Sequence, residues 1–216
     1  MSELSYSFDA GTNGRFREAV HRLTGISLPD SKMAMIEQRL RRRVLKFGLH
    51  DTETYMRHLM AGKLGASEMD EVVDLLTTNT TSFFREKAHF DDLTTQLLPQ
   101  IIARRQRSRP RLKFWSAASS EGAEAYTLAM VLTEAQREGA EFDWAVLGTD
   151  ISHSVLAKAR TGVYAAEQVA QIDHALRNRY FMQAITPTEH DKVRIVPELR
   201  GRVKFAHLNL MDSPIP

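Results

Sequence analysis

Arg85 closes a polar run, Thr77-Thr78-Asn79-Thr80-Thr81-Ser82, through two aromatics, Phe83 and Phe84. A guanidinium in that place can hold a carboxylate in a bidentate, permanently charged fork. With Glu86 and Asp91 close in sequence, it can equally form a surface salt bridge. Further on, Phe114-Trp115 empties into Ser116-Ala117-Ala118-Ser119-Ser120-Glu121-Gly122, a small-residue loop that opens a helix. Small side chains let backbone approach a ligand, and the free amides at the start of the helix favour a carboxylate or phosphate. Strand, turn and helix in this order form the unit on which nucleotide-like ligands sit. The loop is not a full GxGxxG and lacks the Lys-Ser/Thr ending of a phosphate loop, so an ordinary strand-to-helix turn has the same outline. Two carboxylates lie nearby in the pattern. Glu124, in the first helical turn, can meet a cation or simply complement the helix dipole. Asp150, at the end of a second strand, can accept ribose hydroxyls or act as a cap before Ser152.

The elements that must position these groups are legible from periodicity. Met33, Ile36, Leu40, Val44 and Phe47 recur at helical spacing from Pro29-Asp30-Ser31 until Gly48. Asp51 is a suitable N-cap for the next helix, through Tyr55 and Leu59, and Glu68 to Leu76 forms another. Leu93, Leu97, Leu98, Ile101 and Ile102 mark one more helix, followed by a basic turn from Arg104 to Arg111. Strands then alternate with helices: Arg111 to Ser116, Tyr126 to Arg137, Trp144 to Gly148, Ser152 to Arg160, and Val203 to Leu208. Between Tyr164 and Leu199 the pattern is irregular, with a helix through Leu176 and a strand from Val193 to Val196. Three parallel strands with the first one central would leave an apolar edge unpaired, so the sheet is expected to be incomplete.

The sequence of 216 residues is 43% hydrophobic, typical of a soluble globular protein, and has no apolar run long enough to cross a bilayer. The segment Met1 to Asn13 has no apolar core of a signal peptide, so a cytoplasmic location with no membrane insertion is expected. The chain has no cysteine, which excludes disulfides, thiolate catalysis and cysteine-ligated metals, and its eight histidines show no metal-binding spacing. Net charge is only +2, yet Arg39, Arg41, Arg42, Arg43 and Lys46 share one helix. Periodicity puts Arg39, Arg42, Arg43 and Lys46 near one side, opposite Leu40, Val44 and Phe47. That face is solvated, a nucleic-acid patch or a dock for an acidic partner; the many acids in the same domain argue against nucleic acid.

Taken in order, Thr78-Asn79-Thr80-Thr81-Ser82-Phe83-Phe84-Arg85, Trp115-Ser116-Ala117-Ala118-Ser119-Ser120, Thr149-Asp150-Ile151, Arg179-Tyr180-Phe181-Met182 and Asn209-Leu210 resemble segments of the CheR family. These are methyltransferases that modify glutamate side chains on bacterial chemoreceptors. The likeness runs from about Arg39 to the end of the sequence. It departs from the family after the serine loop, where Gly122-Ala123-Glu124-Ala125-Tyr126-Thr127 stands in place of GEEPYS. The family also continues beyond this C-terminus with further strands.

The resemblance implies an all-α N-terminal substrate-docking domain over 1–76 and a linker over 77–90 that contributes to the cofactor site. The front half of a Rossmann-like α/β S-adenosylmethionine methyltransferase domain follows over 91–216, with a small inserted β-subdomain over 164–199. It implies S-adenosylmethionine as cofactor, S-adenosylhomocysteine as product, and the cytoplasmic domain of chemoreceptors as partner. Arg85 would hold the substrate carboxylate and, with Asn79, Thr81, Glu124, Asp150, Asn209 and Leu210, contact the cofactor. Glu124 would meet the amino group, Asp150 the ribose, and Asn209 and Leu210 the adenine. The competing roles are capping near Glu86 for Asn79 and Thr81, and a strand-end turn for Asn209 and Leu210. Phe83 and Phe84 read as packing residues. Arg39, Arg42, Arg43 and Lys46 would dock acidic receptor helices. The alternative function is a non-catalytic module that binds S-adenosylmethionine or receptor.

Overall fold

The computed structural model describes residues 10–77, 79–104, 109–183, 191–212 and 215. Thr78 of the linker run, 105–108 of the basic turn, 184–190 of the irregular segment and residues 1–9 lie outside the described residues. The chain divides into two compact units, one of Met1–Thr78 with Asn209–Pro216, the other of Asn79–Leu208.

The first unit carries α1 (Ala10–Thr24), α2 (Met33–Lys46), α3 (Thr52–Met60) and α4 (Glu68–Leu76). The periodic apolar residues do what their spacing predicts: Ile36, Leu40 and Val44 of α2 bury against Phe16, Val20, Tyr55, Met56 and Val72. Asp51 caps α3, its carboxylate accepting the Thr54 amide at 2.6 Å. The basic helix differs from expectation. Arg39 turns inward and donates to the Leu75 and Leu76 carbonyls at 2.8 and 3.3 Å, closing the end of α4. Arg43 donates to Glu68 Oε1 at 2.8 Å and to Glu71 Oε2 at 3.0 Å, and Tyr55 donates its hydroxyl to Glu68 as well. Burial alone would raise the Glu68 carboxyl, but the hydrogen bonds from Arg43 and Tyr55 outweigh it and hold the carboxyl below its ordinary range. So Arg39 and Arg43 are structural within this unit, because acids and open carbonyls on α4 meet them. Arg41, Arg42 and Lys46 stay exposed, with Leu45 at 71% exposure among them.

The second unit opens with α5 (Lys87–Asp92), a π-helical turn (Leu93–Leu97) and α6 (Leu98–Arg104). Then follow β1 (Arg111–Ala117), α7 (Ala123–Arg137), β2 (Asp143–Asp150), α8 (His153–Thr161), β3 (Val163–Ala165), α9 (His174–Tyr180), β4 (Phe181–Gln183), β5 (Lys192–Ile195), α10 (Pro197–Arg202) and β6 (Val203–His207). The main sheet is parallel in the order β1-β2-β6, and a small antiparallel sheet has the order β3-β5-β4. Among the described residues β1 pairs only with β2, so its other side is left unpaired, as expected of a sheet of three parallel strands. Both strands alternate, β1 exposing Arg111, Lys113 and Trp115, and β2 ends in the buried run Gly148, Thr149 and Asp150. Gly148 also admits a neighbour: a Cβ there would lie 2.6 Å from the Phe205 ring of β6.

The core lies between this sheet and α7, where Ala125, Ala129, Met130 and Leu132 pack with Leu112, Val146 and Val203. The Arg179-Tyr180 pair ties α9 to α7, since both side chains donate to Glu134. Burial pushes the Tyr126 hydroxyl up to about 12, with Arg200 and Arg194 pulling the other way, and that hydroxyl donates to the Ala159 carbonyl at 2.9 Å.

Candidate active site

The serine loop after β1 is moulded by the end of β2. The Ser119 amide donates to the Thr149 carbonyl at 2.8 Å. Asp150, 6% exposed, accepts the Ser120 amide at 2.8 Å and the Ser152 amide at 2.9 Å, one on each carboxylate oxygen. Capping of α8 falls to Ser152, whose hydroxyl accepts the Val155 amide at 3.3 Å. Ala118 and Ser120 adopt φ of 53° and 49°, left-handed backbone that costs a side-chain-bearing residue about 1–2 kcal/mol. The Asp150 bond to the Ser120 amide offsets part of that cost. Gly122 offers no side-chain cap to the 15-residue α7, so the first amides of the helix are free of one. The Ser119 hydroxyl is buried and has no hydrogen-bond partner among the described residues. Glu124 is exposed and accepts the Ser116 hydroxyl at 2.6 Å.

From Asn79 onward the linker lies on the same unit. Ser120 Oγ donates to the Asn79 carbonyl at 2.8 Å, so one serine joins Asn79 to Asp150 through its hydroxyl and its amide. Phe83 is buried edge-on to Tyr164 and Phe181, with centroids 4.8 and 5.4 Å away. Phe84 and Glu86, on either side of Arg85, both have φ of 53°. A bulky aromatic in that region is an outlier that neighbouring contacts must impose. Arg85 itself is exposed and, among the described residues, makes no hydrogen bond or ion pair. Asp91, its expected rival partner, is paired with Lys87 at 2.9 Å. The N-cap of α5 is Glu86 with no side-chain cap bond, so neither Asn79 nor Thr81 serves there.

Asn79, Glu124 and Asp150 are thus gathered at the loop, Arg85 is on the linker turn of the same unit, and Thr81 lies half-buried between them in sequence. Asn209 and Leu210 belong to the helical unit instead. There the Asn209 amide donates to the Leu23 carbonyl and its oxygen accepts the Met211 amide at 3.0 Å, while Leu210 is exposed. The groups not anticipated from sequence are Thr127 and Gln171, whose partners Phe84 and Phe83 are remote in the chain. The set offers a carboxylate acceptor, an unpaired guanidinium, an uncapped helix start and a closely approachable backbone.

Residues 79–216 match the family described as CheR methyltransferase, SAM binding domain, and residues 14–77 match CheR methyltransferase, all-alpha domain. The chain is 40% identical over 200 residues to chemotaxis protein methyltransferase 2 of Pseudomonas aeruginosa, covering 91% of this chain and 67% of the relative. It is 33% identical over 187 residues to a probable chemotaxis protein methyltransferase of Rhizobium etli, covering 87% and 69%. It is 36% identical over 197 residues to the chemotaxis protein methyltransferase of Escherichia coli, covering 91% and 65%.

Proposed function

We propose that this chain, which belongs to the CheR methyltransferase family, methylates glutamate side chains of chemoreceptors, forming methyl esters. S-adenosylmethionine supplies, when bound, an electrophilic methyl group on a sulfonium and leaves as S-adenosylhomocysteine. The chain's residues fit such a group. The uncapped start of α7 suits its carboxylate, exposed Glu124 its amino group, and the Ala117-Ala118 stretch admits close approach. Asp150 already holds two amides. A carboxylate has about four acceptor sites, so ribose hydroxyls can share it. Asn79 and Thr81 approach from the linker.

The substrate carboxylate needs no general base, because a glutamate with a pKa near 4.3 is ionised at neutral pH. What remains for the protein is to orient it, and Arg85, without a hydrogen bond or ion pair among the described residues, offers a guanidinium that can do so. Exposed Arg41, Arg42 and Lys46, with Leu45 between them, suit an acidic amphipathic receptor helix. Among the described residues no helix is long and apolar enough to cross a membrane.

The observation that carries this reading is the Ser120 bridge, which joins the linker at Asn79 to the acidic strand end at Asp150 in one unit. The test is incubation of the chain with a purified receptor cytoplasmic domain and methyl-labelled S-adenosylmethionine. Base-labile label on the receptor is expected, and its absence overturns the reading.

A further inference from the structure

The carbonyl of Phe83 and the amide of Phe84 belong to one peptide group, and both its poles are held from outside the linker. Gln171 Nε2, from the segment between β3 and α9, donates to the carbonyl at 3.3 Å. Thr127 Oγ1, from the second turn of α7, accepts the amide at 3.2 Å. The Thr127 hydroxyl is fully buried and donates in turn to the Ala123 carbonyl at 2.8 Å, so its donor and one acceptor site are both engaged.

A peptide group is rigid and planar, so gripping its two ends fixes its orientation. The residue that follows is Phe84, held at φ 53°, and the next is Arg85. We infer that Thr127 and Gln171 are positioning residues that clamp the Phe83–Phe84 peptide and thereby set the direction in which Arg85 is presented. Thr127 is one turn beyond Glu124 on α7. The helix that begins at the serine loop therefore also fixes the turn that carries the arginine, through a side chain that is itself fully buried. Gln171 extends the same grip from the insertion. The proposal rests on the role of Arg85 given above.

The experiment uses the full chain with Thr127→Val, which keeps the volume and removes the hydroxyl, and Thr127→Ser, which keeps the hydroxyl. Amide hydrogen exchange at Phe84 is followed by NMR beside kcat for receptor methylation. Thr127→Val is expected to speed exchange at Phe84 and lower kcat by about 100-fold, the scale of a misplacement of roughly 1 Å; Thr127→Ser is expected to restore both. In an Arg85→Lys background, Thr127→Val is expected to add little, because the group it positions is already altered. Unchanged kcat in Thr127→Val, or a loss that multiplies with Arg85→Lys, overturns the clamp. Should Thr127→Val fail to fold, exposed Gln171 decides: Gln171→Ala is expected to lower kcat severalfold, and wild-type kcat overturns the clamp. Wild-type kcat in Arg85→Ala would sink the assignment of Arg85 instead, a result distinct from an inactive Arg85→Ala beside a fully active Thr127→Val.

Discussion

Arg43 and Arg85 carry the same guanidinium in opposite circumstances. Arg43 is enclosed by Glu68, Glu71 and Tyr55, and its side chain is only 14% exposed. Arg85 is exposed and unpaired among the described residues, between two residues of left-handed backbone. The first arrangement satisfies buried charge at every atom and stabilises a small helical unit. The second leaves a guanidinium facing solvent, on a turn whose two flanking residues have left-handed backbone. Stability in one region and preparedness for a ligand in the other draw on the same chemistry with the partners present or withheld.

The contrast breaks most sharply if Arg43 is removed. Arg43→Ala leaves Glu68 buried without its cation and is expected to cost about 3–5 kcal/mol, read as a fall in the urea midpoint. Arg85→Ala is expected to do the reverse: melting stays within about 0.5 kcal/mol of wild type, while methyl transfer falls by about 100-fold or more. Gly148→Ala puts a methyl against the Phe205 ring and is expected to cost about 1–3 kcal/mol by overpacking, measured in the same denaturant titration. Acid sharpens the comparison. The folded Glu68 carboxyl lies below its ordinary range, so its contribution is full above the unfolded value and disappears as pH falls through the folded one. A pH series of thermal melts should show this loss in wild type and a flatter acid limb in Glu68→Gln. The smallest effect is that of Asp51→Ala, about 1 kcal/mol from the lost α3 cap.

Local signals carried much of this architecture. The helical spacing through Ile36, Leu40 and Val44, the Asp51 cap and the four strands β1, β2, β5 and β6 follow from residues adjacent in sequence. The misplaced features depend on partners far away. Arg39 and Arg43 turn inward because α4 supplies carbonyls and acids, which a helical wheel of α2 alone does not contain. The close approach of β6 to β2 depends on Gly148 accepting Phe205, and a three-residue strand such as β3 or β4 has too little periodicity to register. Within the candidate site, Asp150 stood out by its strand-end position, but its hold on two serine amides did not. Thr127 was hidden in an apolar helix face, where its spacing matches that of a packing residue.

The chain has two tryptophans, Trp115 and Trp144. Trp115 is 41% exposed on β1 and donates its ring N–H to Thr149 Oγ1 at 2.9 Å; Trp144 is 4% exposed beneath the Arg202 guanidinium at 4.3 Å. Two indoles in such different surroundings make the protein its own optical gauge. Emission from Trp115 should shift and resist an added quencher when anything settles near the acidic strand end, while Trp144 reports only on loss of the fold.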